Sequence, residues 1–138
     1  IGYAPQFVNW SFENLGQLIR IPKAVGISPR IELRSADAAC NPYVAFKLIL
    51  AAGIEGIKQN DCSLLDSTMK SNATGSFDSL PSSLEEAVAI AKESDFVSRT
   101  LSPEIRSNIF RNLDTEIQEY NLAKSKDEFE DKAYFKFI

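Results

Sequence analysis

Along the first 40 residues, short apolar pieces such as Phe7-Val8 and Leu18-Ile19 are separated by Gly2, Pro5, Gly16, Pro22, Gly26 and Pro29. That punctuation reads as loops joining short strands. The clearest strand is Arg30-Ile31-Glu32-Leu33-Arg34. Side chains alternate faces along a strand, so Arg30, Glu32 and Arg34 share one face at a spacing of about 6.5–7 Å, while Ile31 and Leu33 are expected to face a core.

The period then changes. Asn41 is a helix cap and Pro42 suits the first helical position, ahead of Tyr43-Val44-Ala45-Phe46 and Leu48-Ile49-Leu50-Ala51-Ala52. Residues 41–57 therefore predict a helix that is apolar nearly all round, buried beneath other elements or against further chain. Residues 59–82 turn to Asn, Asp, Ser, Thr and Gly and read as a long polar connection. Over 83–123 helices return. Ser83 with Glu86 forms a capping-box pattern ahead of Leu84, Ala87, Val88 and Ala91. Ser102-Pro103 opens an amphipathic helix with Ile105, Ile109, Leu113, Ile117 and Tyr120 at helical spacing. The terminal segment 124–138 is charge-rich and ends in alternating apolar residues, Tyr134-Phe135-Lys136-Phe137-Ile138, which suggest a short strand or a docking segment. The expected fold class is α+β, with short antiparallel strands followed by a mainly helical C-terminal region.

Composition narrows the chemistry. The 138 residues are 44% apolar and 25% charged, the range of soluble globular domains. There are no histidines, so this stretch holds no imidazole base and no histidine metal ligand. With 15 basic against 19 acidic residues the net charge is −4, which argues against a nucleic-acid partner. Cys40 and Cys62 are too few and too isolated for a disulfide framework, and a cytoplasmic location fits them best. The triplets Asn9-Trp10-Ser11 and Asn72-Ala73-Thr74 match the glycosylation pattern, but nothing else argues for secretion. The longest apolar run, Pro42 to Ile57, contains Lys47 and Glu55 and falls short of the roughly 20 apolar residues of a membrane span. The opening Ile1-Gly2-Tyr3-Ala4-Pro5 lacks an initiating Met and a signal-peptide layout, so the chain is expected to be a fragment.

Three charges on one strand face are most often a solvated Arg–Glu–Arg ladder. The same arrangement can also hold a divalent cation beside phosphate oxygens, with arginine forks matching phosphate or carboxylate. The context favours the second use. Asn14-Leu15-Gly16-Gln17-Leu18-Ile19-Arg20-Ile21-Pro22, Arg30-Ile31-Glu32-Leu33-Arg34 and Asp37-Ala38-Ala39-Cys40-Asn41-Pro42-Tyr43-Val44-Ala45-Phe46 together resemble, in order and spacing, the C-terminal part of the catalytic domain of bacterial glutamine synthetases. Ala52-Gly53-Ile54-Glu55-Gly56-Ile57, Leu80-Pro81-Ser82-Ser83-Leu84-Glu85-Glu86-Ala87 and Phe129 to Tyr134 extend the resemblance more loosely.

The resemblance implies an ATP- and magnesium-dependent ligase that joins ammonia, or another amine, to the γ-carboxyl of glutamate through γ-glutamyl phosphate. It places Glu32 at a metal-ligand position, Arg34 at the glutamate-binding, catalytic position near the transferred phosphoryl group, and Arg20 and Arg30 at positions contacting ATP phosphates. It also implies a homo-oligomer and further site residues upstream of Ile1, so that the fragment alone is expected to be inactive. Two positions depart from the family's pattern. Tyr3 stands where its active-site loop carries a Glu, and Leu15 where an Arg contacts phosphate. Glu13 stands where a basic residue is frequent and would tend to repel phosphate. The alternative is a catalytically degenerate homologue serving as a nucleotide- or glutamate-binding or assembly module.

Overall fold

The computed structural model describes residues 4–23, 29–60 and 77–135 and divides into two compact units, Ile1–Leu80 and Pro81–Ile138. In the first unit, three short strands, β1 (Trp10–Phe12), β2 (Ile19–Ile21) and β3 (Glu32–Leu33), form a sheet in the order β1-β2-β3. The antiparallel expectation holds for β2 and β3, where Ile19 lies opposite Leu33 and Arg20 opposite Glu32. It does not hold for β1, which runs parallel to β2 with Trp10 opposite Ile19. Parallel neighbours usually need a connection of a dozen or more residues; here residues 13–18 suffice because the return is built from side-chain and backbone locks. Glu13 takes a left-handed φ of 60° that turns the chain, and Asn14 Oδ1 accepts the Gly16 N–H at 2.8 Å. The two strand entries are joined by Asn9, whose Oδ1 accepts from Leu18 N–H at 2.9 Å and whose carbonyl accepts from Ile19 N–H at 3.0 Å.

On the chain before β1, Val8 N–H donates to the Asp78 carbonyl and Leu80 N–H to the Gln6 carbonyl, both at 2.8 Å. These bonds flank an antiparallel bridge between Phe7 and Ser79. The far end of the polar connection is thereby tied to the sheet unit. Residues 61–76, most of that connection, lie outside the described residues, as does Tyr3.

Helix α1 (Pro42–Gln59) starts as the sequence predicts: Asn41 Oδ1 accepts from Tyr43 and Val44 N–H at 3.0 and 3.3 Å, with Pro42 in the first turn. It ends at Asn60, whose left-handed conformation lets its N–H reach the Gly56 carbonyl at 3.1 Å. Burial of 41–57 beneath the other described elements is corrected: none of its residues is buried, and Tyr43, Phe46, Leu50, Ile54 and Ile57 are exposed, which leaves the alternative of cover by further chain. The described part of this unit otherwise offers three strands of two or three residues, too little surface to cover an 18-residue helix. The inward placement of Ile31 and Leu33 is corrected for the same reason. They are 67% and 39% exposed, while Glu32 between them is half-buried by its ion partners.

The second unit is helical: α2 (Leu84–Glu93), α3 (Asp95–Thr100), α4 (Pro103–Leu122) and α5 (Lys126–Tyr134). Each begins on a serine whose hydroxyl accepts a backbone N–H: Ser83 from Glu86, Ser94 from Val97, Ser102 from Ile105 and Ser125 from Glu128. Ser94 both ends α2 and caps α3, so the chain turns between them at one residue. Val88 and Leu101, each 5% exposed, are the buried apolar side chains among the described residues of this unit. Lys92 on α2 grips Asp114 on α4 with both carboxylate oxygens at 2.6 and 2.8 Å and lies over the Phe110 ring.

The charge-rich run ahead of the terminal aromatics forms a helix. Ser125-Lys126-Asp127-Glu128 is itself a capping-box pattern, and α5 folds against α4 through Tyr120 and Phe129, edge to face at 5.6 Å. Tyr134 donates its hydroxyl to Glu116. Lys136, Phe137 and Ile138, on which the expected terminal strand or docking segment mainly falls, lie outside the described residues.

Candidate anion site on the β2–β3 ladder

The antiparallel register sets Arg20 opposite Glu32, and the side chains meet: Arg20 Nη1 donates to Glu32 Oε2 at 2.9 Å. Arg30, two residues before Glu32 on the same face, donates Nε to the other carboxylate oxygen at 3.3 Å and holds Nη2 3.2 Å from it as an ion pair. Glu32 thus holds two guanidinium groups, one on each oxygen. Arg34 continues this face and is fixed at its backbone, where its N–H donates to the Leu18 carbonyl at 2.9 Å. The four residues singled out from sequence all sit on the neighbouring strands β2 and β3 or within two residues of β3.

A fifth residue joins them. Glu13 Oε2 lies 3.9 Å from Arg20 Nη2, and Glu13 Oε1 accepts the Lys23 backbone N–H. Glu13 stands out in the sequence only as an acidic residue at a position where a basic one is frequent. Its place beside Arg20 depends on the parallel β1–β2 pairing, which no local pattern signals.

The Arg20 hydrogen bond is the main reason the Glu32 carboxyl is held below the ordinary glutamate range; Arg30 adds to it, and partial desolvation opposes it. Glu32 is therefore a carboxylate throughout the neutral range. Arg20 is the most enclosed member, its side chain 18% exposed against 61% for Arg30. Its Nε is buried and has no hydrogen-bond partner among the described residues. A buried guanidinium N–H without a partner is costly, and an oxygen ligand would satisfy it.

This donor set fits a phosphate-bearing group: two guanidinium forks, one with an unused buried N–H, are oriented by a shared carboxylate. It does not amount to a metal centre. A divalent cation of the magnesium type takes six oxygen ligands, whereas Glu32 supplies one carboxylate whose oxygens are both engaged by arginines. Among the described residues there is no group of three His, Cys, Asp or Glu side chains able to hold a metal.

Comparison with known proteins gives the family. The model of the glutamine synthetase catalytic domain matches residues 2–132. The chain is similar to the glutamine synthetase of Methanosarcina mazei, 39% identical over 127 residues that cover 86% of this chain and 28% of that protein. It is similar to that of Thermotoga maritima, 40% identical over 112 residues (75% and 26%), and to that of Staphylococcus aureus, 32% identical over 143 residues (98% and 32%). The chain belongs to the glutamine synthetase family and corresponds to part of its catalytic domain. It spans about three tenths of the length of these curated relatives.

Proposed function

We propose that this chain is the C-terminal part of the catalytic domain of an ATP- and magnesium-dependent ligase that joins ammonia, or another amine, to the γ-carboxyl of glutamate, and that it is inactive by itself. The observation that carries the reading is the Arg20–Glu32–Arg30 cluster, found on the strand segments that resemble the family's site. ATP, when bound, supplies the phosphoryl group that makes the side-chain carboxyl of glutamate reactive through γ-glutamyl phosphate. Arg20 and Arg30 hold the phosphates: their charge is permanent, and Glu32 fixes their direction before ligand arrives. Arg34, on the same face, binds glutamate and offsets charge that develops on the transferred group. Glu32, both of whose oxygens engage arginines here, would supply a magnesium ligand only by releasing one of them, and the other ligands would have to come from elsewhere in the protein.

The full-length protein is proposed to be a cytoplasmic homo-oligomer, with the exposed Phe135 and the residues after it docking on a neighbouring subunit. No helix among the described residues is long and apolar enough to cross a membrane. Light scattering of the full-length protein gives a multimer on this reading and a monomer against it.

A second reading, a non-catalytic relative that keeps nucleotide or glutamate binding or assembly, is favoured by Leu15. It lies 42% exposed on the β1–β2 return, where the family resemblance places an arginine. The test is phosphate release from ATP by full-length protein with glutamate and ammonium or a panel of amines, before and after Tyr3→Glu and Leu15→Arg. Glutamate-dependent release by the unmodified full-length protein, with none from the 138 residues alone, supports the ligase. Release that appears only after the reversions establishes the degenerate reading. Turnover by the isolated chain overturns its proposed inactivity.

A further inference from the structure

We propose that the Glu13 carboxylate is a built-in competitor for the anion bound by Arg20, occupying the outer edge of that guanidinium until a phosphate-bearing ligand displaces it. The inference rests on the reading of Arg20 as a phosphate contact and names the residue that sets how tightly the contact is made.

The geometry separates the two carboxylates around Arg20. Glu32 is a direct hydrogen-bond partner at 2.9 Å, whereas Glu13 stands 3.9 Å from Nη2, beyond hydrogen-bond reach, and is 56% exposed. The Glu32 pair is thus the fixed one and the Glu13 pair the displaceable one, because exposed and loose ion pairs contribute little. Glu13 is nonetheless held in place. Its N–H donates to the Ile21 carbonyl at 3.2 Å, its Oε1 accepts from Lys23 N–H, and its backbone sits at φ 60°, a region that glycine or asparagine occupies at lower cost. A strained backbone that delivers a carboxylate to the edge of an arginine points to a use for the carboxylate. The charge balance gives that use: with Arg34 on the same face, Glu13 and Glu32 offset two of three arginine charges and leave the cluster at +1, and neutralising Glu13 raises it to +2. Meanwhile the Arg20 Nε stays buried without a partner among the described residues, a donor that Glu13 does not reach.

The experiment is a calorimetric titration of the full-length protein and its variants with pyrophosphate at low and high salt. Glu13→Gln keeps an oxygen for the Lys23 N–H and removes the charge. It is expected to tighten pyrophosphate about three- to fivefold at low ionic strength, with the gain shrinking in about 1 M salt. Glu13→Ala is expected to tighten it likewise, and Glu13→Asp, which keeps the charge, to remain near the parent value. A clasp that only shapes the turn predicts the reverse, with Glu13→Gln unchanged and Glu13→Ala weaker, and either of those results overturns the proposal. Arg20→Gln separates the premises. If it abolishes binding while Glu13→Gln equals the parent, the competitor is wrong and the phosphate contact stands. If Arg20→Gln binds as the parent does, the contact itself is wrong and the competitor falls with it. Far-UV circular dichroism of each variant confirms that folded proteins are compared.

Discussion

Arg20 divides its guanidinium among a tight carboxylate, a loose one and a buried N–H that has no partner among the described residues. Glu32 is what makes this arrangement rigid, since each of its oxygens engages a different arginine. Its carboxyl is depressed mainly by the Arg20 hydrogen bond, so the stability it contributes is present above the ordinary glutamate value of about 4.3 and is lost as pH falls through the lower folded-state value. A carbon-detected NMR titration should place the Glu32 midpoint below that of an exposed glutamate, and Arg20→Gln should move it upward. An unmoved midpoint would show that the pair does not govern the titration. Arg30, Glu32 and Arg34 were legible in sequence as one charged face because a strand alternates with a period of two. The pairing of Arg20 with Glu32 was not legible, because it needs the register of β2 against β3 across a separation of 12 residues.

Among the elements, helix starts were the most readable part of the chain, since a cap is a local contract between a side chain and N–H groups two or three residues on. Asn41, Ser83 and Ser102 cap as their patterns predict. Ser125 does too, although the charge-rich run it opens carries no apolar period by which a helix would be read. The parallel β1–β2 pair was hidden for a different reason: Asn9 and the left-handed Glu13 close a return far shorter than such pairs usually require. Removing the cap hydroxyl in Ser83→Ala should cost about 1 kcal/mol, read as a lower urea midpoint. Asp114→Asn should cost less than about 1 kcal/mol, because the Lys92–Asp114 pair is exposed despite its short distances. Glu86 is depressed by hydrogen bonds from Ser82, the backbone N–H first and the hydroxyl second. Its contribution to α2 is therefore present at neutral pH and lost in acid, and Glu86→Gln should flatten the fall in stability below about pH 4.3.

At the scale of the molecule, the chain is about three tenths of its curated relatives, and α1 shows what that means physically. An 18-residue helix with Tyr43, Phe46, Leu50, Ile54 and Ile57 exposed carries more apolar surface than a soluble monomer normally leaves open. The isolated 138 residues should therefore bind a hydrophobic dye strongly, and Phe46→Lys with Leu50→Lys should reduce that binding severalfold. Dye binding unchanged by the pair would place the open surface elsewhere. The family and the α+β class were legible because the strand and helix-start segments are short and dense in chemistry. The uncovered helix was not, because an apolar pattern reports that a face wants burial and says nothing about which chain provides it. The central claim, that the Arg20–Glu32–Arg30 cluster belongs to a glutamate-activating ligase site, is tested most directly by glutamate-dependent phosphate release from ATP in full-length protein carrying Glu32→Gln. The expected result is release by the parent and a loss of about 100-fold or more in the variant. An unchanged rate in the variant, or no glutamate-dependent release by the parent, would contradict it.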